Sequence, residues 1–157
     1  MSLKDTFTAI GARLATITTP QALKKIYTDP KEAVSVGEFP CAVLTLSPLV
    51  EQAWVEETVG DPGLARHDYI VSIFVFLGQR ATPLAELHSR SLLWPEPIAK
   101  ALIADLTLGG KVAFIGYPDD SRRLFTYQSG PISWADGEYW GIRCQLPVTE
   151  KISMTIG

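Results

Sequence analysis

The chain is predicted to be an α+β protein, with a mixed or antiparallel β-sheet of about four to six strands packed by an N-terminal helix and a central helix or helix pair. Three observations point there. Leu3, Phe7, Ile10, Leu14 and Ile17 recur at spacings of four and three, which is one stripe of a helix. Tyr69 to Leu77 is apolar on both alternating faces, as a strand covered on both sides would be. Beyond Gly109-Gly110 the chain reads as strands and turns to its last residue.

Each element has a local reason. Ser2 is placed to cap the first helix, and Asp5 three residues on suits a capping box and the positive end of the helix dipole. The run from Thr16 to Pro20 ends that helix, because β-branched residues and a following proline disfavour the α region. Leu23 to Thr28 reads as a short strand, Asp29-Pro30 as a turn and Lys31 to Phe39 as a polar loop. Pro40 leads into a strand over Cys41 to Leu46, closed by Ser47-Pro48. Val50 to Val59, which contains Trp54, is expected to form a hairpin with the strand that follows, through the turn at Gly60 to Gly63.

Pro83 fits the first turn of a helix with Thr82 as its cap, and Leu84, Leu87, Ser91 and Trp94 make one face. Pro95 and Pro97 break or restart it, so a kinked helix or two abutting helices run to about Leu106. Ile98, Leu102, Ile103, Leu106 and Leu108 continue the apolar stripe until Gly109-Gly110. Val112 to Ile115 is a short strand, and Pro118 to Ser121 a turn. Arg122 to Gln128 is extended and punctuated by Gly130-Pro131. Asp136-Gly137 marks a hairpin into the last strand. There Trp140, Ile142, Cys144, Leu146 and Val148 are assigned to one face, and Tyr139, Arg143, Gln145 and Glu150 to a more polar one. Pro147 suits an edge strand or a bulge.

The chain has 157 residues, which fits a single domain spanning 1–157. Apolar residues at 46% against 20% charged favour a packed core over disorder. A net charge of -3 with pI near 5.4 argues against a general nucleic-acid binder. No apolar run approaches the ~18 residues of a membrane span, and the N-terminus lacks the long apolar core of a signal peptide, so a cytoplasmic site of synthesis is expected. Cys41 and Cys144 sit in apolar strands and read as buried thiols.

Candidate chemistry is sparse. His67-Asp68 places a potential base beside a carboxylate, but neighbours in a strand face opposite ways, and the expectation is a turn histidine with a solvated aspartate. His88 reads as a helix-surface residue, and Asp119-Asp120 as a solvated turn lacking the glycine and glutamate of a calcium loop. The glycines form no dinucleotide or phosphate-loop signature, and no histidine or cysteine pair has metal spacing. The features left over suit protein contacts. Arg122 and Arg123 precede Phe125 and Tyr127, and arginine with aromatics is enriched at interfaces. Of the four tryptophans, Trp94 and Trp140 read as core, whereas Trp54 and Trp134 lie in turn-flanked hairpins. Trp54, Arg122, Arg123, Phe125 and Trp134 are therefore the candidate subunit contacts.

The order of parts resembles the tail terminators, or tail completion proteins, of siphophages. The resemblance rests on the N-terminal helix followed by Leu23 to Pro30, the phrase Phe39 to Pro48, the strand Asp68 to Leu77, the helical block to Leu108 and the closing strand with Glu138-Tyr139-Trp140-Gly141. It covers nearly the whole chain as a pattern of elements, with no short diagnostic motif. It implies a structural virion protein, not an enzyme, with no cofactor. Such a protein forms a ring, typically hexameric, on the head-proximal end of the tail tube. There it stops polymerisation and offers the head-joining surface. The implied partners are further copies of itself, the tail tube protein and the head–tail connector, with no membrane and no sequence-specific nucleic acid. The alternatives are a neck or head-completion protein and a small cytoplasmic α+β enzyme or ligand-binding module using His67, Asp68 or Asp119.

Overall fold

The computed structural model describes residues 3–28, 38–47, 53–58, 63–79, 84–117, 123–134 and 137–154. Ser2, Asp29-Pro30, Pro48, the middle of the Gly60 to Gly63 turn, Thr82-Pro83, Pro118 to Arg122 and Asp136 lie outside them. In chain order the elements are α1 (Leu3–Leu14), β1 (Lys25–Tyr27), β2 (Cys41–Leu46), β3 (Ala53–Thr58), β4 (Gly63–Gln79), α2 (Leu84–Ser91), α3 (Pro95–Ile103), β5 (Phe114–Ile115), β6 (Thr126–Trp134) and β7 (Gly137–Met154).

The fold is α+β, and the described residues form one mixed sheet of seven strands, more than the four to six expected. The extra count comes from short strands laid in tandem along two long ones. β4 and β7 pair antiparallel from Gly63↔Met154 to Gln79↔Tyr139 and form the spine. Along the free side of β4 lie β3, paired at 64–68, and β2, paired at 71–76. Along the free side of β7 lie β5, at 148–149, and β6, at 137–145. β1 adds a parallel edge beyond β2.

Helices cover one face of this sheet. Phe7, Ile10 and Leu14 of α1 and Ile98, Ala101 and Leu102 of α3 pack with Tyr69, Val71, Ile73 and Val75 of β4 and with Ile142, Cys144, Leu146 and Val148 of β7. Arg13 Nε donates to the Ala101 carbonyl at 2.9 Å and ties the end of α1 to α3. Among the described residues the opposite face carries no helix. A smaller cluster of Cys41, Val43, Phe74, Phe76, Ile132 and Tyr139 is packed there by Tyr27, Phe39 and Trp134.

The proline break resolves into two helices. Pro95 is accepted in the first turn of α3, where its missing N–H costs no helical bond, and Trp94 before it is buried at 3% exposure as expected. Leu108, Gly109 and Gly110 all have positive φ, which turns the chain after α3 and buries the Leu108 side chain. The expected stripe is only partly inward. Leu84, Ile103 and Leu106 are exposed, because two helices meeting at a bend cannot share one continuous face.

Four strand expectations need correction. Gly130-Pro131 does not punctuate β6 but lies inside it, where Pro131 pairs with Trp140. Pro147 stands on a strand flanked on both sides, not on an edge or a bulge. Its carbonyl accepts from Gly116 N at 2.8 Å on the β5–β6 side, so its nitrogen faces the gap between those two strands and interrupts no bond to β4. Glu150 belongs to the helix-covered face with Ile142 and Val148, as strict alternation requires, and not with Arg143. Trp140 is half-buried rather than core, because its cross-strand partner is Gly78, which offers no side chain.

Both cysteines are free thiols buried in the sheet. Burial pushes the Cys144 thiol up from 9.0 to about 12. Its folded pKa lies above its unfolded one, so the associated stability is intact below pH 9 and is lost as pH rises towards 12. Urea unfolding between those limits should show a stability decline approaching about 1.4 kcal/mol per pH unit, and Cys144→Ala should remove that share of the slope. Equal slopes in the two proteins would refute the assignment.

Candidate interaction surfaces

The chemistry-bearing residues gather at one end of the spine. Trp54, His67 and Glu150 stand opposite one another across β3, β4 and β7. The Trp54 and His67 rings stack at 4.2 Å and 7°. The His67 ring is also 4.7 Å from that of Tyr69. Beneath them Glu150, only 4% exposed, accepts hydrogen bonds from Thr6 Oγ1 and Tyr69 Oη, both at 2.8 Å. His67 Nδ1 lies 3.8 Å from its other oxygen. Burial, with the Glu150 carboxylate nearby, raises the Tyr69 hydroxyl well above its ordinary range, so it remains a donor.

This corrects the view of His67 as a turn residue. It lies in a strand and is buried under Trp54, and Asp68 faces the other way, held by Arg66 Nε at 3.0 Å. The two therefore do not form a catalytic pair. The cluster instead joins α1 to the end of the sheet. Its outer wall, Trp54, remains 57% exposed, one of the largest apolar surfaces left to solvent.

The other candidate contacts are distributed. The Arg123 guanidinium lies 4.3 Å over the Tyr117 ring. Phe125 is half-buried against the main core, with its ring 6.1 Å from Tyr127. Trp134 is half-buried on the helix-free face, 5.0 Å from Phe74 and 6.0 Å from Phe76. Arg122 lies outside the described residues.

A second apolar surface was not anticipated. Leu92 and Leu93, in the bend between α2 and α3, are 67% and 58% exposed. On one side they border a groove of about 550 Å³ that also includes Arg13, Pro20 and Pro97. On the other, Leu93 borders a groove of about 240 Å³ with Phe39, Leu77 and Trp94. The sequence held a signal for it. Three successive large apolar residues, Leu92-Leu93-Trp94, cannot all face inward from one helix, and Trp94 takes the inward position.

The two patches lie at opposite ends of β4. Trp54 stacks on His67 near its start, and Leu77 beside the Leu93 groove is near its end. Ten residues of strand separate them, a span of roughly 33 Å. No family model matches the chain, and no curated protein matches it.

Proposed function

We propose that this protein is a tail terminator. In this reading it is a structural virion protein whose copies close into a ring on the head-proximal end of a phage tail tube, stop its growth and present the head-joining surface. A ring needs a heterologous interface, in which two unlike patches on one subunit complement each other and the rotation between subunits closes. The observation that carries the reading is the pair of exposed apolar patches, Trp54 at one end of the spine and Leu92-Leu93 at the other. Copies joined through two such distant patches stack side to side rather than back to back. The α+β sheet, with helices on one face among the described residues, leaves the other face and both ends of the spine for contacts between copies.

Termination follows from asymmetry. A tube grows because each ring exposes a template for the next. A ring of a different protein that matches the template on one side and does not reproduce it on the other adds once and halts the series.

Electron microscopy of purified protein mixed with tail tubes tests this. Rings should decorate one end of each tube, and tubes should stop lengthening. Leu93→Asp places a charge in the middle of the ridge and is expected to abolish decoration while leaving the circular dichroism and the unfolding midpoint unchanged, since Leu93 is exposed. Bare tube ends with the unmodified protein would overturn the proposal.

A further inference from the structure

We infer that the helix-free face holds a binding site for a protein carboxylate, centred on Arg143, whose occupant is an acidic, glutamate- or aspartate-bearing segment of another polypeptide. The inference starts from an arginine with no counter-charge among the described residues. Arg143 projects from β7 on that face, half-buried, and its guanidinium lies 5.4 Å from the Phe74 ring. Its Nε is sealed from solvent and donates to no acceptor. Among the described residues nothing forms an ion pair with it. A half-buried permanent cation with no counter-charge is costly, and a ligand meets it through the atoms that line the cleft rather than through the closed Nε.

The surroundings are built for an anion. Arg143 lines a cleft of about 290 Å³ with Ser47, Tyr117, Thr126, Gln128 and Gln145, and among the described residues no acidic side chain lines it. Tyr117 Oη and Thr126 Oγ1 are 3.3 Å apart, and Ser72 Oγ donates to Gln145 Oε1 at 3.2 Å, which turns the Gln145 amide nitrogen towards other acceptors. Asp68, two residues before Ile70 on the same face of β4, is already held by Arg66. Among the described residues that line the cleft, Arg143 is thus the charged one, and its charge is positive. Its complement is a carboxylate, which the planar guanidinium fork accepts through two parallel bonds. The volume suits one side chain and not a cofactor, and the flat sheet around it suits an extended segment.

This site is independent of the tail-terminator reading. The test follows the Nε–H resonance of Arg143 in ¹⁵N-labelled protein, assigned by its loss in Arg143→Lys. The probe is a blocked hexaglutamate peptide, compared with hexaglutamine and inorganic phosphate at about 0.15 M salt, where distant charges are screened. Hexaglutamate should give a saturable downfield shift, at least tenfold tighter than either control. Arg143→Gln should abolish binding, and Gln145→Leu, which leaves the arginine in place, should weaken it several-fold. No shift, equal affinity for hexaglutamine, or equal or tighter binding of phosphate would each overturn the inference. Tubes left uncapped would not change this result, and failure here would leave tube capping untouched.

Discussion

Gly141→Ala is expected to destroy the folded state or to destabilise it by more than about 4 kcal/mol, a loss reserved for strained or overpacked positions. A methyl group on residue 141 would overlap the Val75 carbonyl oxygen and stand 3.1 Å from Phe76 Cα. Both are backbone atoms of β4, so no rotamer change can relieve the clash. The reason is local geometry. β4 carries an irregularity between Phe76 and Gly78, opposite Gly141 and Trp140 on β7, and a bulge of this kind bends the strand and strengthens its twist. The two spine strands come together there more closely than a side chain permits. Gly110→Ala is the control. Gly110, unlike Gly141, has positive φ, at 83°, but among the described residues nothing lies within 4 Å of its added methyl, so only the left-handed backbone penalty of about 1–2 kcal/mol applies. Urea unfolding of both variants checks the pair. A Gly141→Ala midpoint within the range of Gly110→Ala would show that β4 and β7 are not in this contact.

The contrast between those glycines shows where sequence is readable and where it is not. β2 is legible to the residue because Pro40 and Ser47-Pro48 bracket an apolar run. β4 was expected from Tyr69 to Leu77 but begins at Gly63. Its first third, with Arg66, His67 and Asp68, extends past the main core between β3 and β7, and hydrophobic periodicity carries no information where a strand is held by backbone pairing. Pro131 looked like a strand end because proline cannot donate to a ladder. It is tolerated because no described strand pairs with the outer side of β6. Among candidate contacts, the exposure of Trp54 was foreseeable from its turn-flanked hairpin, whereas its stacking on His67 depended on the β3–β4 register. The cleft at Arg143 depends on Ser47 beyond β2, Tyr117 beyond β5 and residues of β4, β6 and β7 converging from distant parts of the chain, and no local spacing announces that.

The same dependence on register gives the second large effect. Glu150→Leu should cost about 3–5 kcal/mol, the usual result of removing one member of a buried charged network. In a domain of this length that lowers the unfolding temperature by on the order of 10 °C. The carboxylate takes hydrogen bonds from Thr6 on α1 and Tyr69 on β4, and both hydroxyls would be left without it in a site closed by Trp54 and His67. Single changes on the donor side are milder. Thr6→Val and Tyr69→Phe each remove one bond to a charged acceptor and leave the other, a loss of about 1.5–3 kcal/mol. The decisive variant combines all three substitutions. If the cost of Glu150→Leu arises from orphaned hydroxyls, the triple variant should be more stable than the single one, because no donor is left to desolvate. If instead Glu150 acts by filling space, the losses should add. A cycle of these variants measured by urea unfolding separates the two. A Glu150→Leu protein as stable as the unmodified chain would mean that α1 is not anchored to the sheet through this carboxylate.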